Sequence, residues 1–275
     1  VLDIDRPEFE RSFGSAPIAV HHHLVDHPLL TVEAIAELAE LLPESKVEHN
    51  LGNLPVVVAP GEEQRAELSP GAVARGIETN GCWMVLKNVE ADLRYARLLN
   101  ESLDEIAGLI GDREGGMTLR EGFIFLSAPG SVTPAHTDPE HNLLLQIRGR
   151  KEINVGAFPA ADVEQRELER VYAGGHRNLP WAPESPATFA MSPGDGVYVP
   201  VNAPHWVTVP DNVAVSLSIT FRTPASNDVA ILHRLNAGLR RVRMSPAPIG
   251  TRPRGDRAKL AAWHGLKALR KRIGG

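Results

Sequence analysis

The chain has 275 residues, 43 % apolar and 23 % charged, with a formal net charge of −5. That length and apolar share support a sizeable buried core and argue against disorder, and no apolar run approaches the roughly 20 residues that span a bilayer. Cys82, the single cysteine, excludes an intramolecular disulfide and a multi-cysteine zinc site. The first residues lack the basic-then-apolar pattern of a secretory signal, so a cytoplasmic location is expected. The charge is uneven along the chain. From Arg222 onward, 13 Lys and Arg face only Asp228 and Asp256, a local +11, which leaves −16 on the preceding 221 residues. Such a tail suits nucleic acid, an acidic partner or the acidic body of a second copy, or is simply a solvated helix.

The first strong helix signal is residues 31–42, with Thr31 as cap, Glu33 and Glu37 in the early turns, and Ile35, Leu38, Leu41 and Leu42 on one face. Pro43 ends it. Ser69-Pro70 opens a second helix to about Glu78, and Leu93, Ala96, Leu99, Leu103 and Ile106 give residues 91–111 helical spacing. After Gly115-Gly116 the pattern changes to short β-rich runs at residues 123–126, 143–147, 152–155, 197–200, 206–209 and 213–219. Gly, Pro and Asp separate them, which predicts an antiparallel sandwich or barrel. A helical piece, Val163 to Tyr172, and a Pro-rich loop interrupt the strands. Val229–Val242 and Ala258–Ile273 read as two closing helices.

Most of the 11 histidines are weak candidates for chemistry. His21, His22, His23 and His27 resemble a metal cluster in composition, but neighbours on an extended strand point to opposite faces. His49, His176, His233 and His264 are isolated and read as structural. His136-Thr-Asp138 differs, because residues i and i+2 on a strand share a face. An imidazole and a carboxylate together, with one distant histidine, make the facial triad of non-haem Fe(II) oxygenases. The run Met191 to Val207 offers a candidate for that histidine: a Pro193-Gly-Asp195 turn, a strand, and an Asn202-Ala-Pro204 turn that delivers His205, which taken alone also reads as a buried histidine beside Trp206.

Gly130-x5-His136-x-Asp138 and Gly194-x5-Pro200-x4-His205 resemble the two cupin motifs, with Asp138 where simple cupins have a second histidine and Asn202 where they have glycine. Histidine-to-aspartate there is the mark of the Fe(II)/2-oxoglutarate dioxygenases of the JmjC and cupin-like group. The layout is also similar to bacterial cupin-like proteins described as transcription-regulator-like. Within the group, the asparaginyl hydroxylase acting on hypoxia-inducible factor carries a threonine three residues before the first ligand histidine, an asparagine six after it and a lysine 15 after it. Thr133, Asn142 and Lys151 stand at those positions. Its later asparagine falls on Thr220, a departure, and its tyrosine contact to the cosubstrate has no equivalent in the earlier segment.

The resemblance implies a mainly β fold with flanking helices: a double-stranded β-helix (cupin or jelly-roll) core at 118–223, an N-terminal mixed α/β segment at 1–117 packing on it, and a basic C-terminal helical region at 224–275. It implies His136, Asp138 and His205 as catalytic metal ligands for Fe(II). It implies 2-oxoglutarate as cosubstrate held by Lys151, Thr133, Asn142 and Thr220, with O2 as oxidant and hydroxylation of a protein, peptide or small molecule as the outcome. The two closing helices resemble in placement those through which JmjC hydroxylases dimerise, so a homodimer is expected. Trp83, Phe123, Phe125, Tyr198 and Trp206 are candidates for pocket or core. Two other readings stay open: a metal-binding cupin without 2-oxoglutarate chemistry, and a non-catalytic regulator binding nucleic acid or a partner through the basic C-terminus.

Overall fold

The computed structural model describes residues 1–59, 65–111 and 114–273. Among them the chain runs β1 (Leu2–Asp3), α1 (Arg6–Ser12), β2 (Ile18–His22), α2 (Val32–Leu41), β3 (Val47–Leu51), α3 (Pro70–Arg75), β4 (Cys82–Lys87) and α4 (Leu93–Ile110). There follow β5 (Thr118–Ser127), β6 (Val132–His136), β7 (His141–Arg148), β8 (Lys151–Ala157), α5 (Ala161–Tyr172), β9 (Glu184–Met191), β10 (Asp195–Val199), β11 (His205–Thr208), β12 (Ala214–Arg222), α6 (Pro224–Arg241) and α7 (Pro253–Ile273). None of the described helices is long and apolar enough to cross a membrane.

The strands form two antiparallel sheets. The larger has the order β1-β2-β10-β7-β12-β5-β4-β3, and the smaller β6-β11-β8-β9. The family-like mainly β architecture is therefore present, and the region before residue 118 contributes four strands to the larger sheet.

Period-2 alternation explains how the layers stack. In β7, Leu143, Leu145 and Ile147 join a core that also holds Ile35, Leu38, Tyr95, Leu103 and Ile106 of α2 and α4. Leu144, on the opposite face, packs with Ile153 and Val155 of β8, Met191, Val197 and Val207, joining the two sheets. β12 repeats the pattern with a chemical twist. Val215, Leu217, Ile219 and Phe221 face the helical side, while Ser216, Ser218 and Thr220 face the space between the sheets and are just as buried. Alternation here separates an apolar core from a polar interior, not from water.

Local departures from expectation have simple causes. Thr31 caps α2, its Oγ1 accepting from the Ala34 N–H at 3.2 Å, but Leu41 is 71 % exposed and Ala36 and Ala39 take its place in the core. Leu93 of α4 is likewise exposed, being in the first turn beyond the packed stretch. α6 begins five residues earlier than expected because Pro224 fills the first helical position behind a Thr223–Ser226 capping box. β9, inside the expected Pro-rich loop, tolerates Pro186 because it is an edge strand, paired with β8 on one side only.

Candidate active site

β6 and β11 are antiparallel neighbours with His136 directly opposite His205. Their rings lie 4.2 Å apart between centroids. β6 ends at His136, so Asp138 comes from the connection that follows, yet its carboxylate turns back to the same point. Oδ2 lies 3.6 Å from Nε2 of both histidines, and potential ligand atoms of all three residues fall within 4.8 Å of one another. The Asn202 N–H donates to the Asp138 carbonyl at 2.8 Å, tying the loop to the turn before His205. Asn202 has φ 64°, a left-handed conformation that suits asparagine, and its Oδ1 accepts from the Tyr172 hydroxyl at 2.8 Å.

Both histidines are oriented from behind. His136 Nδ1–H donates to the Pro134 carbonyl at 2.7 Å, and His205 Nδ1–H to the Ala203 carbonyl at 2.9 Å. With Nδ1 carrying the proton, each Nε2 presents its lone pair inward, as metal ligation requires. Burial works against the charge on Asp138, but His136, His205 and Arg177 outweigh it and hold the carboxyl far below the usual range. Burial pushes His205 down to about 4, helped by the charge of His136. His136 moves up, the pull of Asp138 overcoming desolvation. Two neutral-capable imidazoles and one ionised carboxylate on one side of a pocket fit a divalent transition metal, Fe(II) in particular.

A narrow chamber of about 40 Å³ runs inward from this cluster, lined also by Phe125, Thr133, Asn142, Leu144 and Lys151. Lys151, first residue of β8, is 4 % exposed. Its Nζ lies 5.4 Å from the Phe125 ring centroid, and among the described residues no carboxylate pairs with it. Burial alone pushes the ammonium down to about 7. A buried cation without an anion is costly, and a carboxylate-bearing ligand between Lys151 and the metal cluster would remove that cost. Asn142 is fixed by the Ser218 hydroxyl, which donates to its Oδ1 at 2.8 Å, leaving the amide N–H groups as donors.

The chamber opens into a cleft of about 270 Å³ that shares Phe125, Thr133, His136, Asp138 and Asn142 with it. Trp83, Val85 and Phe123 form one apolar wall, and Glu48, Lys87 and Arg177 stand at the polar side. Thr220 lines this cleft rather than the chamber, and its hydroxyl donates to the Glu121 carbonyl at 3.2 Å. Tyr198 and Trp206 do not line either space. Tyr198 is fully buried against Phe9 and Phe13, and Trp206 alternates with His205 on β11 and points away. The amino-terminal histidines do not converge: His21 pairs with Asp195, and His22 Nε2–H donates to the Gln146 carbonyl.

Ser218 and Arg177 are among the site residues that the sequence did not reveal. Ser218 shares a face of β12 with Thr220, so the period-2 rule could have found it. Arg177 lies in the loop after α5, where no periodicity operates. Its Nη1 is 3.0 Å from Asp138 Oδ1 and 3.6 Å from Glu140 Oε2, and Arg222 holds the other Glu140 oxygen.

Residues 117–229 match the family model of the JmjC domain. This stretch is similar to a JmjC domain, and it contains His136, Asp138 and His205. No curated protein sequence matches the chain. Among solved structures, the chain is similar to the ribosomal oxygenase YcfD from Escherichia coli in complex with cobalt and 2-oxoglutarate, with 20 % identity, a TM-score of 0.52, and coverage of 98 % of this chain and 67 % of that one. A second YcfD structure gives a TM-score of 0.52 at 20 % identity, covering 98 % and 68 %. A third, with cobalt and succinic acid, gives 0.50 at 20 % identity, covering 98 % and 67 %. At this identity the likeness shows the shared fold.

Proposed function

We propose that the protein hydroxylates a side chain of a protein substrate, with His136, Asp138 and His205 holding Fe(II) and Lys151 holding the far carboxylate of 2-oxoglutarate. The observation that carries the reading is Lys151, a buried cation without a carboxylate partner among the described residues, facing the same chamber as the three-residue cluster. When bound, Fe(II) with 2-oxoglutarate supplies the oxidising chemistry that inserts one atom of O2 into a C–H bond and releases succinate and CO2. The chain supplies position and environment. The Pro134 and Ala203 carbonyls orient His136 and His205 so that Nε2 of each faces the centre, and Asp138 stays ionised, its outer oxygen held by Arg177. Thr133 and Asn142 offer polar groups beside Lys151, while Phe125 and Leu144 keep the chamber dry. The cleft has room for a side chain and a polar rim for the backbone that carries it. The E. coli ribosomal oxygenase, which shares the fold and was captured with cobalt and 2-oxoglutarate, supports the protein-substrate reading.

The test is thermal unfolding under nitrogen with Mn(II), with and without 2-oxoglutarate. A ligand at 100 times its Kd adds about 2.7 kcal/mol, so the midpoint should rise when both are present and stay unmoved in Asp138→Ala. Stabilisation by metal alone would reassign the site to a plain metal-binding cupin. Succinate formation in air, lost in Asp138→Ala, then reports turnover.

A homodimer through the closing helices belongs to the same proposal. Leu266 and Leu269 of α7 are 59 % and 54 % exposed, an apolar surface a second copy would cover. Light scattering decides it: a monomeric mass at micromolar concentration would rule it out.

A further inference from the structure

α5 and α6 pack side by side and leave a trough on the surface. Two adjoining hollows of about 500 and 460 Å³ share the 173–175 turn, Ala237 and Arg241, so they form one continuous depression. Arginine dominates its lining, and Glu169 is the one carboxylate that lines it among the described residues. Part of the positive charge is neutralised internally: Arg170 by Glu167, Arg240 by Glu169, Arg222 by Glu140 and Arg177 by Asp138. Three guanidiniums are not. Among the described residues, Arg166 and Arg241 have neither an ion pair nor a hydrogen-bond partner. Arg234 donates only Nε, to the neutral carbonyl of Tyr172 at 3.2 Å.

The floor is as informative as the walls. Gly174 and Gly238 both line the trough, and a Cβ at either would meet nothing within 4 Å. Glycine inside α6 is unfavourable relative to alanine, and no neighbour demands it. Its consequence is a shallow backbone floor with space above it. The last turn of α5 directs carbonyls here, which disfavours an anion, but the Gly174 and Gly175 N–H groups cover the Val171 and Arg170 carbonyls, and Arg234 covers Tyr172. The negative end is thus screened, and the unpaired guanidiniums set the sign.

We propose that this trough binds the phosphodiester backbone of a nucleic acid. Guanidinium forks match phosphate oxygens, and a floor of Gly and Ala has no pocket to seat the side chains by which an acidic peptide would be recognised. Arg177 lines both the trough and the active-site cleft, so the two adjoin at that residue. The proposal rests on the trough alone, and its failure leaves the oxygenase reading untouched.

The experiment is fluorescence anisotropy of the full chain with a labelled single-stranded RNA and a DNA of the same sequence, titrated with salt from about 50 mM upward. Three uncompensated guanidiniums predict a log–log salt slope near −2 for a single strand. The double variant Arg166→Glu/Arg241→Glu removes no internal pairing, so it should keep the Mn(II)/2-oxoglutarate thermal response while losing at least tenfold in affinity. Absence of binding at low salt, or unchanged affinity in the double variant, overturns the proposal. Competition by polyglutamate as effective as that by unlabelled RNA would hand the trough to an acidic protein. Displacement by millimolar inorganic phosphate would hand it to a small phosphate ligand.

Discussion

Lys151 sets the behaviour of the site at the residue scale. Because burial lowers its folded pKa to about 7, well below its unfolded value near 10.4, the folded chain binds fewer protons than the unfolded chain between those limits. Stability of the ligand-free protein therefore rises with pH across that window and is lost as pH falls through it. Lys151→Met should stabilise the ligand-free protein by about 1–3 kcal/mol, a rise of several degrees in Tm by calorimetry, while abolishing stabilisation by 2-oxoglutarate. An unchanged response to 2-oxoglutarate would place the carboxylate clamp elsewhere. With Lys151 holding the far carboxylate as proposed, binding requires the charged ammonium, so 2-oxoglutarate affinity should weaken as pH rises above about 7, approaching tenfold per pH unit until the ligand-bound pKa is reached. Calorimetric Kd values at two pH values on either side of neutrality check this, with Lys151→Arg, whose charge does not titrate there, as the flat control.

At the scale of elements, the short β7–β8 connection carries the chain from the larger sheet to the smaller and delivers Lys151, and Gly149 makes that tight crossing possible. Gly149 has φ 70°, and a Cβ there would lie 1.9 Å from the Val213 carbonyl oxygen, a backbone atom with nowhere to go. Gly149→Ala should destabilise the protein by about 1–3 kcal/mol, and weaken 2-oxoglutarate binding because Lys151 lies two residues on. Denaturant midpoints and the thermal response to 2-oxoglutarate read both effects. The β10–β11 turn plays the matching part for His205, with Asn202 tied to the Asp138 carbonyl. Those turns were legible from the chain, since Gly, Pro and Asn mark them by their restricted or left-handed backbones. β6 was not. Its Val-Thr-Pro-Ala-His carries little apolar alternation, and it is a strand because β11 pairs with it.

At the scale of the whole molecule, the four strands that residues 117–229 give the larger sheet, β10, β7, β12 and β5, are flanked on one side by β2 and β1 and on the other by β4 and β3. A 117–229 fragment would expose both sheet edges and the apolar face that α2 and α4 cover. It should fail to show a cooperative thermal transition by circular dichroism, whereas the full chain shows one. A cooperative fragment would show that the flanking strands are dispensable.

The sequence by itself determined the local chemistry: the histidine–aspartate pair two residues apart, the turns that aim them, the distant His205, and Lys151 at its family offset. The turns are legible because backbone preference acts over a few residues, and the ligand and lysine positions because of their spacing; the expected shared strand face of His136 and Asp138 is absent, since β6 ends at His136 and Asp138 turns back from the connection that follows. Only the tertiary structure decided that Thr220 stands in the outer cleft while Ser218 holds Asn142, that Arg177 reaches Asp138 from a loop 39 residues away, and that arginines of α5 and α6 converge in one trough. Such contacts depend on how separate strands and helices stack. Burial on both faces of a sheet hides from the sequence which face of a strand such as β12 is core and which is site.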